Sequence, residues 1–283
     1  MYKTNPDIEG VKAGIATPML MLAALGVGSL IVVLAITLLT FPAEPASANL
    51  SGGLDLELEP ISLFPDFSSI QDVESKKQRF FDYLEGFVVA ENKAIAARRT
   101  ELLPYAEIVN KGYPLSEQER QWVDQLANIY RIDTSGLEGA EIVAELLLRV
   151  DIIPVSLVLA QAANESAWGT SRFVLEGNNI FGEWCFEPGC GMVPLHRHPG
   201  DNHEVQHFDS IDQSIESYFL NINTHRSYRY LRDLRAEIRV EGGEPDPMLL
   251  ATGLRRYSQR GDDYVDEVQT IILQNDLIDR DRG

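Results

Sequence analysis

The sequence predicts an α+β domain, predominantly helical, set behind a membrane-spanning helix. Three observations lead there. Apolar residues recur at helical spacing through most of residues 72–277. One stretch, residues 177–208, breaks that period and is rich in Gly, Pro and Asn, as loops with short strands are. Met19–Phe41 is an uncharged apolar run of 23 residues. At about 1.5 Å rise per residue it spans the roughly 30 Å hydrocarbon core of a bilayer.

The elements follow in chain order. Lys3 and Lys12 precede the apolar run, and Glu44, Asp55, Glu57 and Glu59 follow it. The positive-inside rule then leaves residues 1–13 as a cytoplasmic tail and 14–41 as a single-pass inner-membrane anchor, with the rest of the chain in the periplasm. Ala46-Ser47-Ala48 would also suit cleavage of a signal peptide. The run exceeds the roughly 7–15 residues of a signal-peptide core, which favours the retained anchor. Residues 42–71, rich in Pro, Ser, Gly and acids, read as a flexible linker.

From Asp72 to about Asn110, the spacing of Phe80, Phe81, Leu84, Phe87, Val88, Ile95 and Leu102 predicts a helix, with Pro104 ending or kinking it. Ser116 and Glu119 make a capping box for a helix carrying Trp122, Val123, Leu126, Ile129 and Tyr130. A third helix covers Glu138 to Val150. Pro154 suits the first position of a fourth, which runs to Ser166. Beyond the irregular insert, Asp209 or Ser210 caps a helix with Ile211, Ile215, Tyr218, Phe219 and Ile222. Further helices are expected at 227–240, 247–256 and 262–277. Residues 72–149 read as a helical segment packed on a domain covering 150–280.

A net charge of −19 excludes phosphate neutralisation, so nucleic acid is not an expected partner. It also disfavours docking on anionic lipid heads. The only two cysteines, Cys185 and Cys190, flank a turn containing Pro188 and Gly189. Outside the cytoplasm such a pair oxidises, and a disulfide is expected. His196, His198 and His203 lie nearby, but the spacing is not that of a zinc site. No metal or other cofactor is expected.

The chemistry concentrates at the end of the fourth helix. Glu165 follows Gln161 by four residues and Val158 by seven, so it shares their inward face. Desolvation there raises a carboxyl pKa, and a Glu still protonated near neutrality can serve as a general acid. Taken singly, Glu165 also fits a solvated helix-end acid, Trp168 a core residue, and Gly169 and Gly177 ordinary turn glycines. The wider pattern is more specific. Ala160-Gln161-Ala162-Ala163-Asn164-Glu165-Ser166-Ala167-Trp168-Gly169, followed by Gly177-Asn178-Asn179-Ile180-Phe181-Gly182, resembles the glucosaminidase family of peptidoglycan hydrolases. Within it the chain looks most like the Bax-type bacterial proteins. The resemblance is strong over about residues 150–275, weaker over 72–149, and says nothing about 1–71. It implies a lysozyme-like fold and cleavage of the β-1,4 bond between N-acetylglucosamine and N-acetylmuramic acid in peptidoglycan strands.

The resemblance also implies a second Glu about a dozen residues before a stretch that here reads Val205-Gln206-His207-Phe208-Asp209-Ser210. Val193 falls at that place, with no acid beside it. Glu183, Glu187, Asp201 and Glu204 are candidates only by proximity in sequence, and each reads as a surface acid. Either a mobile loop brings in Glu204 or Glu187, or the substrate's own 2-acetamido group acts as nucleophile, which is the favoured reading. Gly253–Tyr264 is similar to the family's Gly-Tyr-Ala-Thr-Asp-x-x-Tyr segment, which makes Tyr257 the expected cleft tyrosine and catalytic assistant. Its alternative is a half-buried Tyr bonded to backbone. Tyr264 is expected to pack the last helix. Trp168, Asn178, Asn179, Phe181 and Trp184 supply the aromatic faces and amides that bind sugar. Lytic transglycosylase-like cleavage and a catalytically weak wall-binding scaffold are the competing functions.

Overall fold

The computed structural model describes residues 64–282, except 196, 198 and 199. The expected anchor and most of the linker lie outside the described residues. Among the described residues, no helix is long and apolar enough to cross a membrane.

The described part is predominantly helical with one small sheet. The helices are α1 (Val73–Asn110), α2 (Glu117–Ile129), α3 (Gly139–Arg149), α4 (Val155–Glu165), α5 (Arg172–Gly177), α6 (Ile211–Thr224), α7 (Arg229–Val240), α8 (Pro247–Ala251) and α9 (Asp262–Gln274). Short 3₁₀ turns occupy Phe67–Ser69, Arg226–Tyr228, Thr252–Leu254 and Leu277–Arg282. The insert holds β1 (Trp184–Cys185), β2 (Gly191–Met192) and β3 (Glu204–Gln206), all antiparallel, with β3 in the middle.

Local sequence accounts for most of these boundaries. Ser116 and Glu119 form the capping box at the start of α2. Pro154 stands at the N-cap of α4 rather than inside its first turn. Pro104 does not end α1, which runs through it to Asn110. A proline inside a helix costs about 3 kcal/mol. Here Leu102 and Ala106 are buried on either side of it, and Arg99 donates to the carbonyls of Leu147 and Val150, so tertiary packing outweighs the local penalty.

α4 is the central helix. Every residue from Val155 to Ala163 is buried, against α1, α8, α9 and the C-terminal turn. Its N-terminus is fixed by Asp281, whose carboxylate accepts from the N–H of Ser156 at 2.9 Å and its hydroxyl at 2.6 Å. Just before it sits Asp151, 2% exposed. Arg239 bonds both its oxygens, at 3.1 and 3.2 Å, while Arg99 and Arg235 stand at 3.6 and 3.9 Å. Arg235 also donates to the carbonyls of Leu148, Asp151 and Ile152. Burial alone would push Asp151 up, but Arg235, Arg239 and Arg99 outweigh it and hold the carboxyl below its usual range. This network ties α1, α3 and α7 to the entry of α4, and so fixes the helix that presents Glu165.

Candidate active site

Glu165 is the last residue of α4 and is half-buried. The backbone then turns left-handed for three consecutive residues: Ala167 (φ 51°), Trp168 (φ 59°) and Gly169 (φ 73°). Two of these are not glycine, and each such residue costs on the order of 1–3 kcal/mol. The Ser166 hydroxyl holds the turn by accepting from the N–H of Gly169 at 2.8 Å. Gly169 is required twice over. Its φ is positive, and an added Cβ would lie 2.8 Å from the rings of both Phe64 and Phe67. Much of the motif around Glu165 therefore builds a sharp exit that leaves the carboxyl at the helix end.

A directional hydrogen-bond chain runs from Tyr218 through Gln161 to Tyr264, a neighbour of Glu165. The Tyr218 hydroxyl donates to Gln161 Oε1 at 2.5 Å. Gln161 Nε2 donates to the Tyr264 oxygen at 2.9 Å. That leaves the Tyr264 hydroxyl proton free to turn toward Glu165, whose pKa Tyr264 lowers. Burial, the largest influence, pushes Glu165 above the ordinary glutamate value. Tyr264 and the Arg260 charge pull it back, and Glu267 pushes it up again; the net direction is upward.

The other residues expected at the site take various places. Tyr257 is half-buried, stacked on Tyr264 with ring centroids 5.4 Å apart, and its hydroxyl donates to the Phe181 carbonyl at 3.1 Å. It fastens the loop after α5 to the Glu165 side of the site. Tyr264, expected only to pack the last helix, is the tyrosine whose hydroxyl acts on the Glu165 carboxyl. Phe181 is 2% exposed and stacked on Tyr218 at 3.9 Å, so it forms an interior wall and not a sugar platform. Trp168 is turned by its left-handed backbone onto Phe80 and Phe81 of α1, edge to face, and packs against the core.

Asn178 adopts φ 51° and caps α5, and its amide donates to the Phe208 carbonyl. Asn179 is 1% exposed. Its amide donates to the carbonyls of Glu183 and Gln206, and its oxygen accepts from the Glu183 N–H. With those bonds made, Asn179 has no amide group left for a sugar; both residues rivet the insert to α5 and β3. Trp184 alone among these five exposes a large apolar surface, 56% of the residue. It stacks on His203 at 4.1 Å and lines a cavity of about 560 Å³ with Phe173, Pro194, Arg197 and Gln259. Cys185 and Cys190 form a disulfide beside it, so neither sulfur is available as a thiolate ligand.

The four acids of the insert separate sharply. Glu187 and Asp201 are exposed. Glu204 is committed to the disulfide turn: it accepts from the N–H groups of Gly189 and Gly191, at 3.2 and 2.9 Å, and these hold it below the usual range. Glu183 is not a surface acid. The residue as a whole is half-buried, yet its Oε1 has no contact with solvent and no hydrogen-bond partner, while Oε2 accepts from the Ser217 hydroxyl of α6 at 2.9 Å. Burial pushes its pKa up to about 7, against smaller downward pulls from Ser217 and Arg131. Tyr218 and Tyr228 lie between the two carboxyls in an electrostatic sense. Burial raises both hydroxyls most, and the fields of both Glu165 and Glu183 add to it. The sequence offers one signal for Glu183, its place directly after the Gly-Asn-Asn-Ile-Phe-Gly turn. Its burial is set by Ser217, 34 residues away.

Comparison with known proteins finds relatives of this chain. Residues 140–277 match the glucosaminidase family, described as mannosyl-glycoprotein endo-beta-N-acetylglucosaminidase. The chain is 32% identical over 205 residues to Protein bax of Escherichia coli (strain K12), an alignment covering 72% of this chain and 71% of the relative. No solved structure matches.

Proposed function

The chain belongs to the glucosaminidase family, of the Bax type, and on that premise we propose that it is a peptidoglycan hydrolase with Glu165 as its general acid. The bond cleaved is the β-1,4 linkage between N-acetylglucosamine and N-acetylmuramic acid, on a lysozyme-like helical frame. The observation that carries the reading is the setting of Glu165: a half-buried carboxyl at the end of a buried helix, raised by burial. A protonated Glu165 gives its proton to the glycosidic oxygen as the C1–O bond breaks. The substrate's 2-acetamido oxygen closes on C1, and water then opens that intermediate, returning a proton to Glu165. Tyr264 is positioned to stabilise the carboxylate formed after the first transfer. Tyr257 acts through the loop it fastens. Trp184 offers an apolar face to a sugar ring at the edge of the site.

The apolar run Met19–Phe41 supports retention in the inner membrane, with the catalytic part on the wall side, where the Cys185–Cys190 disulfide would persist.

The test is digestion of purified sacculi by the parent and by Glu165→Gln, with circular dichroism to establish folding. Loss of general acid catalysis should lower the rate by at least about 10²-fold. The new reducing end should be N-acetylglucosamine. An anhydromuramic product, or a folded Glu165→Gln protein that digests at the parent rate, would overturn the reading.

A further inference from the structure

The mechanism above uses the face of Trp184 but not the cavity that Trp184 lines. At about 560 Å³ this cavity falls within the roughly 300–1,000 Å³ of small-ligand sites. It shares two segments with the site. Trp184 follows Phe181, whose carbonyl accepts from Tyr257, and Gln259 lies between Tyr257 and Arg260, the cation acting on Glu165. Its two arginines differ. Arg172 is spent on structure: it bonds Glu176 and the Val193 carbonyl, both at 3.2 Å, and so ties the loop of Pro194 and Leu195 to α5. Arg197 is half-buried, and its Nη1 donates to the His203 carbonyl at 3.3 Å. Among the described residues, its Nε–Nη2 edge makes no hydrogen bond, and no carboxylate stands within salt-bridge distance of it. Glu204 feels its charge, but both oxygens of Glu204 are taken by Gly189 and Gly191. His203 holds Arg197 through its carbonyl and Trp184 through its ring, so an open guanidinium edge and an exposed aromatic plate are fixed to one residue.

We propose that this cavity is a subsite for a carboxylate-bearing sugar of the glycan strand, with the ring on Trp184 and the carboxylate on the Nε–Nη2 edge of Arg197. That edge of a guanidinium offers two parallel N–H donors and matches the two oxygens of a carboxylate. The apolar walls, Phe173 and Pro194 with Trp184, suit the face of a sugar ring. In a chain of net charge −19, an anionic strand is held by such a local contact and not by the overall field. In peptidoglycan the sugar is N-acetylmuramic acid. Its carboxylate lies on the lactyl ether of a bare strand, or further out on the stem of a peptide-bearing one. This inference rests on the glycan-cleaving reading above and deepens it, naming what would separate the substrate from a neutral glucosamine polymer. Asp201, exposed and in the same lining, opposes a bound carboxylate and so sets a sign for the test.

The first test needs no catalysis. The full chain is titrated with N-acetylmuramic acid, with N-acetylmuramoyl-L-alanine, and with N-acetylglucosamine, which has the same ring and no acid. The readout is the indole N–H signal of Trp184 in NMR, assigned through Trp184→Phe. At least one of the two acids should bind about tenfold or more tighter than N-acetylglucosamine. Preference for the first places the carboxylate on the lactyl ether, and preference for the second places it on the stem. Arg197→Gln should abolish the difference between acid and neutral sugar. Asp201→Asn should tighten the acid and leave the neutral sugar unchanged, a gain that misfolding cannot produce. Equal binding of all three by the parent, or a preference that survives Arg197→Gln, overturns the proposal. The second test is digestion of sacculi, where Arg197→Gln should raise KM about tenfold with kcat unchanged. A fall in kcat with KM unchanged would place Arg197 outside substrate binding and overturn the subsite. If the parent digests no sacculi but prefers the acids, the hydrolase reading fails and the subsite stands. If it digests sacculi without that preference, the subsite fails alone.

Discussion

Replacing Glu183 by Gln should stabilise the protein at neutral and alkaline pH and change little in acid. The folded protein holds this carboxyl's pKa at about 7, against an ordinary value of 4.5. A carboxyl whose pKa rises on folding binds its proton more tightly in the folded state. Its contribution is therefore complete below the unfolded value, is lost as pH climbs from about 4.5 to about 7, and is level above that. At about 1.4 kcal/mol per tenfold, that interval corresponds to roughly 3 kcal/mol of destabilisation. The residue is half-buried rather than sealed, so screening reduces the figure to about 2 kcal/mol. Gln can keep the Ser217 contact and carries no charge to desolvate. Urea unfolding of both proteins between about pH 4 and 8 should give curves that coincide at the acid end and separate steadily to a plateau. A gap independent of pH would mean that Gln acts through packing. No gap at pH 8 would mean that the carboxyl is solvated, and the reasoning from its buried oxygen would fail.

Two further outcomes follow from the frame around the site. Gly169→Ala should destabilise by about 2–4 kcal/mol, since the new Cβ meets two phenyl rings at 2.8 Å on a left-handed backbone; a melting temperature within a degree of the parent's would refute the close approach. Asp151→Asn should cost about 3 kcal/mol at neutral pH, because it leaves Arg235, 1% exposed, without its counter-charge. Asp151 is held below its usual range on folding, so its contribution is present above about pH 4 and is lost as pH falls below that. The two proteins should converge in acid, and a gap persisting there argues against the charge.

The frame was largely legible because its signals are local. The Ser116–Glu119 capping box, the apolar run after Pro154 and the aperiodic Gly- and Pro-rich insert each announce an element without reference to the rest of the chain. Pro104 misled because burial of Leu102 and Ala106 outweighs a local cost. The site was legible at Glu165 and obscure around it for a related reason. Trp168 is an aromatic beside the acid in sequence, but a left-handed turn swings it onto α1. Asn179 has the amide that sugars need, yet both ends of that amide are used within the insert. Glu183 reads as a surface acid because its neighbours in sequence are Gly182 and Trp184, whereas its environment comes from α6 and from Arg131. Tyr257 and Tyr264 stand seven residues apart on one segment, and only the packing of α9 on α4 decides that Tyr264 meets Glu165.

The two raised carboxyls bear on how a glycan would be cut. A protein nucleophile has to be ionised while the general acid keeps its proton, so the two environments must push a pair of carboxyls apart. Here both are pushed the same way: burial dominates at Glu165 and at Glu183, and the hydroxyls of Tyr264 and Ser217 only moderate it. The acids of this region that are held ionised have other work. Asp151 is enclosed by three arginines, and Glu204 by the backbone of the disulfide turn. With the ionised form disfavoured at both raised carboxyls, neither suits the part of a protein nucleophile, and in the proposed reaction that part falls to the substrate. The 2-acetamido group of N-acetylglucosamine supplies one, and this arrangement of charges favours its use over a glycosyl-enzyme bond.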